Sequence, residues 1–149
     1  MESNRMNDLI SNWLSLTHII TNIENTIEQH LQEKHALSLN EYYMLLFLSE
    51  APMKKLRLQQ LESMVGLSQS AMSRLVARFE AKGCGALARH ACEEDRRSVY
   101  TALTAIGQEK VDKASFTFQN VLAETLPDKE MEGLLAELLK SKHKVKGIS

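Results

Sequence analysis

The sequence predicts a mainly α fold with a small β-hairpin (α+β), and three observations carry that expectation. Six Gly and two Pro in 149 residues leave few helix breakers, aromatic content is only 5%, and Leu, Glu, Lys, Gln and Met recur throughout. Apolar residues fall at steps of three and four over most of the chain, with a strand-like pattern after Gly83. The 44% hydrophobic content suits one core of ordinary size, so residues 1–149 are expected to form a single domain. Collagen-like, disordered and all-β classes are excluded.

Residues 7–35 place Leu9, Trp13, Leu16, Ile20, Ile23, Ile27 and Leu31 on one stripe of a long amphipathic helix, and Ile10, Leu14 and Ile19 widen it. Such a helix exceeds what a compact domain of this size needs, which leaves apolar surface for a second subunit. Ser38-Leu39-Asn40-Glu41 has the form of a capping box and opens a second helix through Tyr42, Leu45, Leu46 and Leu48, which stops before Pro52. Residues 53–57 are a short basic connection. A third helix spans 58–65 and ends at Gly66, and Ser68 caps a fourth, 69–82, ended by Gly83. Leu87, Arg89 and Ala91, then Val99, Tyr100, Thr101 and Leu103, form two short strands around a charged tip, residues 92–97. Thr104 caps a fifth helix carrying Val111, Ala114, Phe118, Val121 and Leu122. Pro127 sits in the first turn of a sixth, whose apolar face is Met131, Leu134, Leu135, Leu138 and Leu139.

Two cysteines, Cys84 and Cys92, are too few for a disulfide scaffold. The first fifteen residues lack the apolar core of a signal peptide, and no stretch approaches the roughly 18 apolar residues of a membrane span. A soluble, cytoplasmic protein with no membrane partner is the expectation. The net charge of −1 argues against a uniformly basic protein, yet it averages three unlike segments: −5 over residues 1–51, +4 over 52–100 and 0 over 101–149.

The basic segment holds the informative pattern. A short helix, a glycine turn and a second helix make a helix-turn-helix, with Leu61, Val65, Leu67, Met72 and Leu75 converging on one small core. Glu62 fits poorly, since such motifs usually place a small residue there. With Ala71, Met72, Leu75 and Phe79 inward, the fourth helix turns out Gln69, Ser70, Ser73, Arg74 and Arg78. These are DNA-reading types: Arg pairs with guanine edges, Gln with adenine, Ser with bases or phosphates. Ser68 and its neighbours present backbone N–H groups suited to a phosphate. The hairpin forms a wing whose Arg96 and Arg97 suit a minor groove, although taken alone these arginines fit better as a solvated loop paired with Glu93, Glu94 and Asp95.

The run Leu58 to Ala77, with Gly66-Leu67-Ser68, Ser70, Ser73-Arg74-Leu75 and then Lys82-Gly83, Asp95-Arg96-Arg97 and Leu103-Thr104-x-x-Gly107, resembles the MarR family of winged helix-turn-helix transcription regulators. The resemblance implies a winged core over residues 38–103 and dimerisation helices over 7–35 and 104–145. It implies that Asp95 holds the wing by pairing with an arginine, that Arg96 or Arg97 reaches the minor groove, and that Arg89 and His90 form a basic pair. Eleven residues, 84–94, separate Lys82-Gly83 from Asp95, about two more than is common in the family. The family relation further implies a homodimer on an inverted-repeat operator in double-stranded DNA, a repressor role, and release by a small aromatic ligand or an oxidant. Trp13, His18, Tyr42, Tyr43 and Phe47 are the candidate pocket residues, with core and interface packing the favoured use of the same side chains. Cys84 and Cys92 suit small hydrophobes better than redox sensors, Cys92 being the better placed of the two. His30 and His35 with Glu28, Glu33 and Glu41 have the wrong spacing for a metal on one helix face, and surface histidines are expected. No cofactor motif and no nucleophile–base arrangement points to an enzyme. A winged-helix protein-interaction module without an operator is the other function compatible with these residues.

Overall fold

The computed structural model describes residues 2–80, 84–91, 99–126 and 129–140. Its elements run α1 (Glu2–His35), α2 (Leu39–Glu50), a 3-10 turn at Pro52–Lys54, β1 (Lys55–Arg57), α3 (Leu58–Val65), α4 (Gln69–Phe79), β2 (Leu87–Ala91), β3 (Val99–Leu103), α5 (Ala105–Thr125) and α6 (Lys129–Lys140). None of the described helices is long and apolar enough to cross a membrane.

Local chemistry sets most boundaries. Ser38 Oγ accepts from Glu41 N at 3.1 Å while Glu41 Oε1 accepts from Ser38 N at 2.7 Å, closing the capping box that starts α2. Gly66, at φ 85°, ends α3 in the left-handed conformation, and its N–H and that of Leu67 both donate to Glu62 O. Thr104 caps α5 through Gly107 N, and its own hydroxyl donates to Gly85 O at 2.7 Å. Three boundaries differ from expectation. Helix α1 begins at Glu2, with polar residues continuing the helix ahead of the first apolar one. Helix α4 ends at Phe79, with Glu80 extended, and the expected stop at Gly83 lies outside the described residues. The connection expected over residues 53–57 holds the strand β1, entered through Met53 and Lys54, which both sit at left-handed φ near 55°.

The sheet is antiparallel in the order β1-β3-β2. Register pairs Leu56 with Thr101, Arg57 with Tyr100, His90 with Tyr100 and Leu87 with Leu103. Alternation therefore turns Leu56 and Thr101 to the buried side and gives Lys55, Arg57, Tyr100 and His90 the other face.

One core joins the C-terminal part of α1 (Ile27, Leu31), α2 (Tyr42, Met44, Leu45, Leu48), the helix pair (Leu61, Met72, Leu75, Val76, Phe79), the sheet (Leu56, Leu87, Leu103) and α5 (Val111, Ala114, Val121). Polar ties fix α5 in place: Tyr42 Oη and Ser115 Oγ lie 2.8 Å apart, and His35 Nε2 lies 2.7 Å from Thr117 Oγ1. The N-terminal part of α1 has no such cover among the described residues. Leu9, Ile10, Trp13 and Leu14 are all more than half exposed, as are Phe116 of α5 and Leu138 and Leu139 of α6.

Candidate nucleic-acid interface

Helix α4 is amphipathic with the period its sequence predicts. Met72, Leu75, Val76 and Phe79 are buried, and Gln69, Ser70, Arg74 and Arg78 are exposed. Ser68 holds its start by accepting from Ala71 N at 3.3 Å, which leaves the N–H groups of Gln69 and Ser70 without helical acceptors. Those donors and the positive end of the helix dipole suit a phosphate oxygen. Arg74 and Arg78, one turn apart, border a groove of about 700 Å³ with Ser38, Asn40, Leu67, Ala71 and Leu75.

The predicted residues do not share one environment. Ser73 is half-buried and lines a cleft of about 120 Å³ with Leu58, Val76, Arg89, Val99 and Thr101, so it faces the sheet as well as solvent. Arg78 Nη2 lies 3.2 Å from Glu41 Oε2, and Glu41 is itself buried under the α2 cap. Arg89 is paired with Glu80, the residue that ends α4. Two of the candidate arginines are thus aimed by carboxylates, while Arg74 lies on the same face with no ion pair among the described residues. Neither pairing is visible in sequence, because Glu41 and Arg78 are brought together only by the packing of α2 on the helix pair. Asp95, Arg96, Arg97 and Cys92 lie outside the described residues.

Of the candidate pocket residues, Tyr42, Tyr43 and Phe47 form an aromatic cluster with Phe118, Tyr42 stacking on Phe118 at 5.0 Å between centroids. Burial raises the pKa of both tyrosines, with the Ser115 hydrogen bond partly opposing this at Tyr42. Trp13 and His18 are exposed on α1. Cys84 is a free, exposed thiol rather than a packed hydrophobe. The histidines expected at the surface are half-buried. His30 Nδ1 has no hydrogen-bond partner among the described residues, and His35 is held below its ordinary pKa by burial and by Lys110, Lys34 and Lys113. Glu28 accepts from Leu39 N at 2.9 Å and Glu41 is occupied by Ser38 and Arg78, so these carboxylates serve helix junctions. Among the described residues no group of three His, Cys, Asp or Glu side chains could hold a metal. Glu62, the misfit in the helix pair, keeps Oε1 buried without a partner among the described residues.

A tri-helical core, an exposed helix carrying Gln, Ser and Arg, and a sheet on its flank define the winged helix-turn-helix class of proteins. A sequence profile of the MarR family matches residues 36–98. That segment is similar to the MarR family, and the fold is that of MarR family structures. In structure it is similar to AbsC, a MarR family transcriptional regulator from Streptomyces coelicolor (24% identity, TM-score 0.78, covering 93% of this chain and 94% of that one). It is similar also to the transcriptional regulator BldR from Sulfolobus solfataricus (23% identity, TM-score 0.77, 93% and 97% covered). A third likeness is to Sco3205, a MarR family transcriptional regulator from Streptomyces coelicolor solved in complex with DNA (24% identity, TM-score 0.75, 86% and 81% covered). At these identities the likeness is one of fold. No protein of curated function matches the sequence.

Proposed function

We propose that the chain is a sequence-specific transcription regulator that binds double-stranded DNA as a homodimer and represses by occupying an inverted-repeat operator. The observation that carries this is the exposed face of α4, where Gln69, Ser70, Arg74 and Arg78 stand over a fully apolar buried face. Arg74 is the base-reading arginine. Arg78 and Arg89, tethered to Glu41 and Glu80, meet phosphates together with Ser68 and the first N–H groups of α4. Ser73 reads at the edge of the cleft, and Asp95, Arg96 and Arg97 complete the wing. The fold likeness to a regulator solved with DNA supports the same reading.

The homodimer rests on the uncovered apolar face. Helix α1, at 34 residues, is about 51 Å long, and its N-terminal half shows Leu9 at 71% and Trp13 at 63% exposure. A two-fold partner closes such a face and sets two α4 helices on half-sites about one helical turn apart. Release by a small aromatic ligand acts through the α2–α5 seam at Tyr42, Tyr43 and Phe47, with Trp13 and His18 on the dimer side, whereas release by an oxidant acts through a cysteine thiol, of which Cys84 is exposed.

Titration of labelled duplexes from the DNA upstream of the coding region, against shuffled duplexes, over a salt series tests this reading. Log affinity should fall linearly with log salt, at about 0.9 per phosphate contact, with the native duplex preferred throughout. Absence of salt-sensitive, sequence-selective binding overturns it.

A further inference from the structure

The basic connection that became β1 is not used by the helix-turn-helix. We propose that Lys54, Lys55 and Arg57 form a second polyphosphate-binding strip, which grips the DNA backbone outside the groove read by α4. This inference rests on the DNA-binding reading above and extends its footprint.

Four observations converge on it. Register places Lys55, Arg57, Tyr100 and His90 on one face of the sheet, with Ala102 between them, while Leu56, Thr101, Leu87 and Leu103 share the other face. Lys55 Nζ lies 4.6 Å and the Arg57 guanidinium carbon 5.6 Å from the Tyr100 ring centroid, so the ring orders two cations side by side. A groove of about 490 Å³ runs along them, where Lys55, Arg57, Gln59, Gln60 and Tyr100 stand beside the apolar Pro52, Met53 and Leu56. Cationic, amide and phenol groups of this kind are those that contact phosphate and sugar rather than base edges. Met53 and Lys54 turn through left-handed backbone, and Lys54 is exposed with no carboxylate within ion-pair distance among the described residues.

The strip is contiguous with the reading head. Arg57 precedes Leu58, the first residue of α3, and Leu58 shares a cleft with Ser73 of α4 and with Arg89 and Val99 of the wing sheet. A duplex lying along α4 has its backbone crossed by the first helix of the motif, and the strip stands at the start of that helix. The lysines add to the tethered arginines: Arg78 and Arg89 are each held by a carboxylate, and Lys54 and Lys55 make no ion pair among the described residues.

The test is a Lys54→Ala, Lys55→Ala double variant of the full chain, titrated with a long duplex and with one trimmed to the selected half-sites. Each lost phosphate contact should lower the salt slope by about 0.9 and affinity by about eightfold at 0.1 M salt. On the long duplex the double variant should lose both increments, equally for selected and shuffled sequences, and on the trimmed duplex it should match wild type. Lys55→Arg should retain the slope, which separates charge from fold, and an unchanged melting curve for the double variant checks the same point. Unchanged slope and affinity on the long duplex, with wild type binding normally, overturn the strip and leave the α4 reading standing. Failure of wild type itself to bind DNA overturns both. A loss confined to an acidic protein partner assigns the strip to protein docking and overturns the proposal.

Discussion

Replacing Gly107 by alanine should destabilise the fold by about 2 kcal/mol, although the position is helical and alanine is the better helix former. A Cβ there would lie 2.3 Å from Ala86 O, 2.6 Å from Leu103 Cδ1 and 3.1 Å from the Ala86 carbonyl carbon. The first two contacts are far inside van der Waals range, and the nearest is backbone. Ala86 O is already fixed, because it accepts from Thr104 N at 3.0 Å while the Thr104 hydroxyl donates to Gly85 O. Reaching a tolerable 3.0 Å requires a retreat of about 0.7 Å, which pulls Ala86 off the Thr104 amide. Overpacking of this kind costs roughly 1–3 kcal/mol, and the weakened hydrogen bond about 1 kcal/mol. The gain in helix propensity returns about 1 kcal/mol. Urea unfolding followed by circular dichroism at fixed protein concentration reads the difference, with Gly133→Ala as the control. Gly133 has open space around it and should gain about 0.5–1 kcal/mol. A Gly107→Ala variant as stable as wild type would refute the close approach between α5 and the start of β2, and with it the junction that aims the wing.

Three further outcomes are expected. Glu62→Ala should raise stability by about 1 kcal/mol, because Oε1 is buried without a partner among the described residues; a clear loss in urea unfolding would mean that the carboxylate is satisfied after all. His35 contributes a pH dependence with a definite sign. Above pH 6.5 it is neutral in both states, and as pH falls the unfolded chain takes up the proton before the folded one, so stability drops between 6.5 and the lowered folded pKa. Unfolding midpoints on either side of that window should converge in His35→Gln, and an equal acid loss in the variant would exclude His35 as its source. Trp13→Glu should shift the chain toward monomer in sedimentation, since a buried Trp is worth about 1.5–3 kcal/mol or more of apolar contact; an unaltered dimer would place the seam elsewhere.

Much of the scaffold was legible because its signals are local. Ser38 with Glu41, Gly66, Ser68 and Thr104 each mark a boundary through a hydrogen bond or a backbone angle set within four residues, and each stands where it was expected. The face of α4 followed from spacing alone at Gln69, Ser70, Arg74 and Arg78. What escaped depends on tertiary partners. Strand β1 is three residues long, two of them basic, and is a strand only because β3 supplies its hydrogen bonds. Ser73 could not be distinguished from Arg74 by type, and its half-burial comes from the sheet packed beside it. The tethering of Arg78 by Glu41 joins residues that no periodicity relates. The cation-ring stack at Tyr100 likewise needs strand register, although the basic run 54–57 was its visible trace.

Selection of bound sequences from a random duplex library, with wild type and Arg74→Ala in parallel, tests the central claim most directly. Wild type should enrich an inverted repeat with half-sites about 10 base pairs apart, centre to centre. Arg74→Ala should lose preference at one base pair in each half-site, by about 1–3 kcal/mol, while keeping most of its salt dependence. No enriched sequence with wild type, or the same sequence at the same strength with Arg74→Ala, would contradict the assignment of α4 as the reading helix.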